Sequence, residues 1–153
     1  SKLLTDAANA GNADAAYNLG ILYDKGRGVT ADLAAAAELF GTAAKAGQVV
    51  AEVEYGIRLF NGTGIAKDEA GAASWFTKAA QAGNPVAENR LARLLMAGRG
   101  VTADPVQAAK WHFLAIKGGV TDPALDQFVA TLTDAQRQAA QQAAAQQPKP
   151  TSG

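Results

Sequence analysis

The chain has 153 residues, 14 basic and 14 acidic side chains, no cysteine and 48% hydrophobic residues, enough for one domain with a buried core. Formal neutrality removes the broad attraction that binding to nucleic acid needs, and the missing cysteines exclude disulfides, thiolate zinc sites and a cysteine nucleophile. Thirty-seven alanines make about a quarter of the chain the best helix former, so the reading is all-α. No apolar run approaches the roughly 20 residues of a membrane span, so no direct membrane insertion is expected.

A period of 36 residues organises the elements: Gly11, Gly47, Gly83 and Gly119 share one register. Residues 1–11 come first. Leu3-Leu4 and Ala7-Ala8 hold the register of Trp75-Phe76 and Ala79-Ala80, so this stretch is read as the tail of a preceding repeat or an N-terminal cap, with an exposed edge through which repeats could associate. Three units then fill 12–119. In the first, a helix A at about 13–25 leads through Gly26-Arg27-Gly28-Val29 into a helix B at about 32–46. The loop returns as Gly62-Thr63-Gly64-Ile65 and Gly98-Arg99-Gly100-Val101, each time followed by an aspartate, Asp32, Asp68 or Asp104, in N-cap position. Pro105 after Asp104 strengthens that assignment. Columns 36, 37, 40, 43 and 44 of helix B recur as small or apolar residues and line one face of a 3.6-residue period. One hairpin cannot bury that stripe, but stacked neighbours can. Residues 120–147 are read as C-terminal capping helices, opened by Asp122-Pro123 and by the Thr133-x-x-Gln136 capping box, and 148–153 as a flexible tail.

Ala15, Leu19, Gly20, Tyr23, Gly26, Gly28, Val29 and Asp32 follow in order the pattern of the Sel1-like repeat, and the chain from about 3 to 119 resembles that relative of the tetratricopeptide repeat. The second unit departs with Tyr55 and Leu59 in exchanged columns, and the third with Ala92 for glycine. The resemblance implies a right-handed α-α superhelix, a solenoid of helix-turn-helix repeats, and a non-catalytic scaffold for protein interaction.

Sites of other kinds are weighed against plain structure. The Gly-x-Gly loops lack a preceding strand and a third glycine, so they read as hairpin turns and not as phosphate cradles. Asp32, Asp68 and Asp104 read as caps; no cofactor or metal is expected. His112 shares the column of Phe40 and Phe76 and has no evident partner, so it reads as packing, as do Trp75 and Trp111. No catalytic constellation stands out, and no enzyme is expected.

What remains is ordered variation. Helix-A columns 17, 18, 21, 24 and 25 change type between units and lie opposite the packing columns 15, 19, 20 and 23. In solenoids of the resembled class helix A lines the concave groove, which assigns a protein segment to Tyr17, Asn18, Ile21, Asp24, Glu54, Ile57, Phe60, Arg90, Arg93 and Met96. The strip is expected to run from acidic near Asp24, through exposed Phe60 and Met96, to basic at Arg90 and Arg93. The leading expectation is a protein-binding adaptor in bacterial envelope regulation or signalling. Its alternative is binding or modifying cell-wall peptidoglycan. The address is read as periplasmic, with the cytoplasm as alternative.

Overall fold

The computed structural model describes residues 2–9, 11–28 and 31–150, and of Leu3 the backbone alone. Ser1, Ala10, Val29 in the first loop, the side chain of Leu3 and the Thr151-Ser152-Gly153 part of the expected tail lie outside the described residues. The described residues form nine helices and no strand: α1 (Lys2–Asn9), α2 (Ala13–Lys25), α3 (Leu33–Lys45), α4 (Val49–Asn61), α5 (Glu69–Gln81), α6 (Pro85–Ala97), α7 (Pro105–Lys117), α8 (Pro123–Ala130) and α9 (Asp134–Gln146). They fall into two compact units, Ser1–Trp75 and Phe76–Gly153, with the division inside α5.

Local chemistry explains where the helices begin and end. Asp32, Asp68 and Asp104 each accept the backbone N–H three residues on, at 3.0, 2.8 and 3.1 Å, as N-caps do. A second series of caps opens the helix-A elements: Asn12, Gln48 and Asn84 accept from Ala15, Ala51 and Ala87. Gly26, Gly62 and Gly98, at φ of 64°, 71° and 68°, end α2, α4 and α6 in the left-handed region. Each hairpin is then closed by a backbone bond from the aspartate back into helix A: Asp32 to Tyr23, Asp68 to Leu59 and Asp104 to Leu95. The Gly-x-Gly loops are helix ends, as read.

In the N-terminal unit α1 packs on α2, α2 on α3, and α3 on α4. Ala8, Ala16, Leu19, Ala43, Ala44 and Ala51 form its core, ringed by Leu4, Leu22, Tyr23, Leu39, Tyr55 and Trp75. Small residues set how closely these helices approach. A Cβ on Gly20 would meet the Phe40 ring at 3.0 Å, and one on Gly41 the Tyr55 ring at 2.9 Å. Gly64 combines both demands, with φ of 72° and only 2.1 Å between a would-be Cβ and the Leu33 carbonyl oxygen.

In the C-terminal unit α6 packs on α7, and α9 lies along α7. Ala109, Val129, Leu132 and Ala140 form a core cluster with Val106, Phe113 and Phe128 against it. The expected capping box is present: Thr133 accepts from the Gln136 N–H while the Gln136 side chain accepts from that of Thr133. Arg137 then donates to the carbonyls of Val129, Ala130 and Leu132 and so satisfies the end of α8. The helix-B columns are buried as read, with Ala43, Ala79 and Ala115 alike inaccessible. Ile116 departs from its column and is exposed, and Trp75 is half-buried, packed edge-on against Tyr55, where Trp111 is buried.

Candidate functional site

The predicted strip divides between the two units. In the N-terminal unit α2 contributes Tyr17, Asn18, Ile21 and Asp24, and α4 contributes Glu54, Ile57 and Phe60. The sequence reading left out their organiser, Arg58. Its guanidinium lies 4.9 Å from the centre of the Phe40 ring, Nη1 is 2.7 Å from Asp24 Oδ1, and Nη2 is 3.8 Å from Glu54 Oε2. The Arg58 side chain is only 11% exposed, whereas Asp24 and Glu54 keep more of theirs in water. Tyr17 packs on the same ring, at 5.7 Å between centroids and tilted by 54°. Burial, and then the Glu54 charge, raise its phenol above the ordinary range. One aromatic ring therefore gathers Tyr17, Arg58 and, through Arg58, both carboxylates.

In the C-terminal unit the same strip is α6, with Asn89, Arg90, Arg93 and Met96. Its organiser, also missed by the sequence reading as a partner, is Asp122. This carboxylate is 2% exposed. Oδ2 accepts from Arg93 Nε at 2.6 Å and Asn89 Nδ2 at 2.9 Å, while Oδ1 caps α8 by accepting from the N–H groups of Ala124 and Leu125. Burial alone would raise its pKa, but the bonds from Asn89, Arg93 and Leu125 and the Arg93 charge outweigh burial and hold it below the ordinary range.

Several expectations need correction. Phe60 and Met96 are half-buried, not exposed; the exposed large apolar side chains among the described residues are Leu33, Val50, Val86 and Ile116. Column 17 does not face outward throughout, since Val53 on α4 is buried. The acidic end at Asp24 is compensated by Arg58, so the charge gradient is shallower than the sequence implies. Three clefts, of about 270, 320 and 230 Å³, contain no residue of the strip: two flank Glu38 and Thr42 on α3, and the third lies between Phe113 and Ala144.

His112 is in the core, as read, but it has a partner: Nε2 lies 2.7 Å from Asp126 Oδ1, fourteen residues on, and Nδ1 is buried without a hydrogen bond. Two buried acids in one column also escaped the reading, Glu52 and Glu88, in the first turns of α4 and α6. The signal was there, since Ala16, Glu52 and Glu88 are each 36 residues apart. Burial pushes the Glu88 carboxyl up to about 7. Trp111 lies under the Lys110 ammonium, 4.4 Å from the ring centroid, and burial lowers that ammonium's pKa.

The Sel1 repeat model matches three times in tandem, at residues 13–48, 49–84 and 85–120. Among solved structures, a Sel1 repeat protein from Oxalobacter formigenes is similar at 31% identity and a TM-score of 0.73, over 83% of this chain and 95% of that one. The protective antigen c5321 of uropathogenic Escherichia coli strains, which displays an SLR fold, is similar at 37% identity and a TM-score of 0.73. That match covers 78% of this chain and 26% of the antigen. No curated protein matches the chain. The three matched segments coincide with the helix pairs α2–α3, α4–α5 and α6–α7, and their 36-residue period is the one read from the glycines, so the chain belongs to the Sel1 repeat family, whose members are typically non-catalytic scaffolds for protein–protein interaction.

Proposed function

We propose that the protein is a non-catalytic adaptor that holds a segment of a partner protein along its helix-A strip, in bacterial envelope regulation or signalling and with a periplasmic address. The observation that carries this reading is that each unit leaves its strip with half-buried apolar side chains beside an uncompensated charge. In the N-terminal unit two carboxylates, Asp24 and Glu54, face one guanidinium, Arg58. In the C-terminal unit Arg93 pairs with the one carboxylate, Asp122, and Arg90, exposed on the same helix, has no carboxylate partner among the described residues. Apolar contact supplies affinity and the charges orient the segment. The bacterial setting is supported by the similarity to a bacterial protective antigen.

The peptidoglycan alternative needs an aromatic platform open to a sugar, and Trp111 is buried while Trp75 is half-buried and packed against Tyr55. The adaptor reading is tested with a photo-crosslinking amino acid at Ile57, and at Ser74 on helix B as a control. Adducts identified by mass spectrometry as one protein, formed at Ile57 and lost when Glu54 is reversed in charge, are expected, with the helical circular dichroism unchanged. Adducts confined to Ser74 would discard the strip.

A further inference from the structure

The C-terminal unit's part of the strip is built and not merely charged. Asp122 is buried, receives four hydrogen bonds and contacts Arg93 only through Nε, at 2.6 Å. The two terminal nitrogens of Arg93 have no partner among the described residues, and the side chain is 53% exposed. An arginine at a surface ordinarily loses rotamer freedom when it binds. Here the tether through Nε has already fixed the plane of the fork. Arg90, three residues earlier and hence one turn away on the same face, is exposed and has no carboxylate partner among the described residues. Met96 lies a further turn along and is half-buried.

We infer that Arg90 and Arg93 form a recognition site for an acidic side chain of a partner protein segment, with Asp122 as the positioning residue for Arg93 and Met96 as the adjoining apolar contact. The inference rests on the adaptor reading and gives it a ligand chemistry. Guanidinium forks match carboxylates two bonds at a time, and a tethered fork does so at lower entropic cost. A helix rises about 1.5 Å per residue, so Arg90 and Met96 are about 9 Å apart along α6. An extended chain covers that in about three residues at roughly 3.3 Å each, which sets the motif as an acidic residue with an apolar one two or three positions away. Nucleic acid fits poorly. Its affinity comes from neutralising many phosphates, and this strip offers two cations over a buried carboxylate in a chain of zero formal net charge.

The test uses the full chain and two fluorescein-labelled peptides identical except that one carries Glu-Glu-x-Leu and the other Gln-Gln-x-Leu. Fluorescence polarisation should show the acidic peptide binding about tenfold more tightly, with Arg93→Lys and Arg90→Gln each removing most of that preference, because lysine keeps the charge but not the fork. Asp122→Asn retains a capping oxygen and releases the tether. The Arg93 Nε–H resonance should exchange slowly with solvent in the native chain and broaden in that variant, and the acidic preference should fall severalfold. Should Asp122→Asn fail to fold, the Arg93→Lys and Arg90→Gln titrations decide alone. Equal binding of the two peptides, native-like binding by Arg93→Lys, or competition by inorganic triphosphate without binding of the acidic peptide would each overturn the inference. If the acidic peptide fails while Ile57 still forms its protein adduct, the adaptor reading stands and only the ligand chemistry falls.

Discussion

In the ion pairs of the strip, the N-terminal unit buries the cation and leaves its acids the more exposed partners, whereas the C-terminal unit buries the acid and leaves the cation exposed. Arg58 lies against Phe40, with Asp24 and Glu54 toward solvent; Asp122 lies beneath α6, with Arg93 toward solvent. Arg58 and Arg93 both stand on helix-A elements, α4 and α6, so the kind of helix that carries the arginine does not separate them. What does is which member of the pair reaches the interior. A buried ion must be matched, and the match is most easily supplied by a long side chain whose remaining polar atoms stay in water. The visible charge of each unit is therefore set by the hidden one.

The largest effect on this contrast is expected from Asp122→Ala. It unpairs Arg93 and Asn89 and removes the cap of α8, so a loss of about 3 kcal/mol is expected from urea unfolding, at the low end for a buried pair because Arg93 is half exposed. A comparable effect, in the opposite pH sense, belongs to Glu88. A carboxyl whose folded pKa is raised to about 7 from an ordinary 4.5 resists ionisation in the fold, so stability falls as pH rises through that window, by at most about 3 kcal/mol. Asp122, held low, contributes stability above the ordinary carboxylate range and loses it as pH falls below about 4. Urea midpoints should therefore peak at mildly acidic pH, and Glu88→Gln should flatten the alkaline side alone; an unchanged slope would remove Glu88 from the account. The smallest effect is expected from Arg58→Met, at about 1–2 kcal/mol, because Asp24 and Glu54 are open enough to water to be rehydrated when the cation goes. A loss as large as that of Asp122→Ala would erase the asymmetry between the units.

How much of this was legible follows the range of each interaction. Caps at Asp32, Asp68, Asp104 and Thr133 act over three residues, and all four were read correctly from spacing alone. Asn12, Gln48 and Asn84 follow the same rule and were overlooked, although each stands just after a recurring glycine. The pairs that organise the candidate site span 34 residues from Arg58 to Asp24 and 29 from Arg93 to Asp122, and the core pair of His112 and Asp126 spans 14. A charged residue has no pattern that names its partner in another helix. The variable columns were found, but whether Phe60 and Met96 lay open or half covered was not, because a column's angle on its own helix does not say what the neighbouring helix covers.

By itself the sequence determined the helices, their ends and the 36-residue repetition, because hydrogen bonding within a turn and the apolar period are local properties that each stretch carries with it. Only tertiary structure decided which charges are spent inside and which remain for a partner. That depends on the distance between side chains brought together from different helices, and at 2.6 to 2.7 Å a displacement of one helical turn would replace one pairing by another.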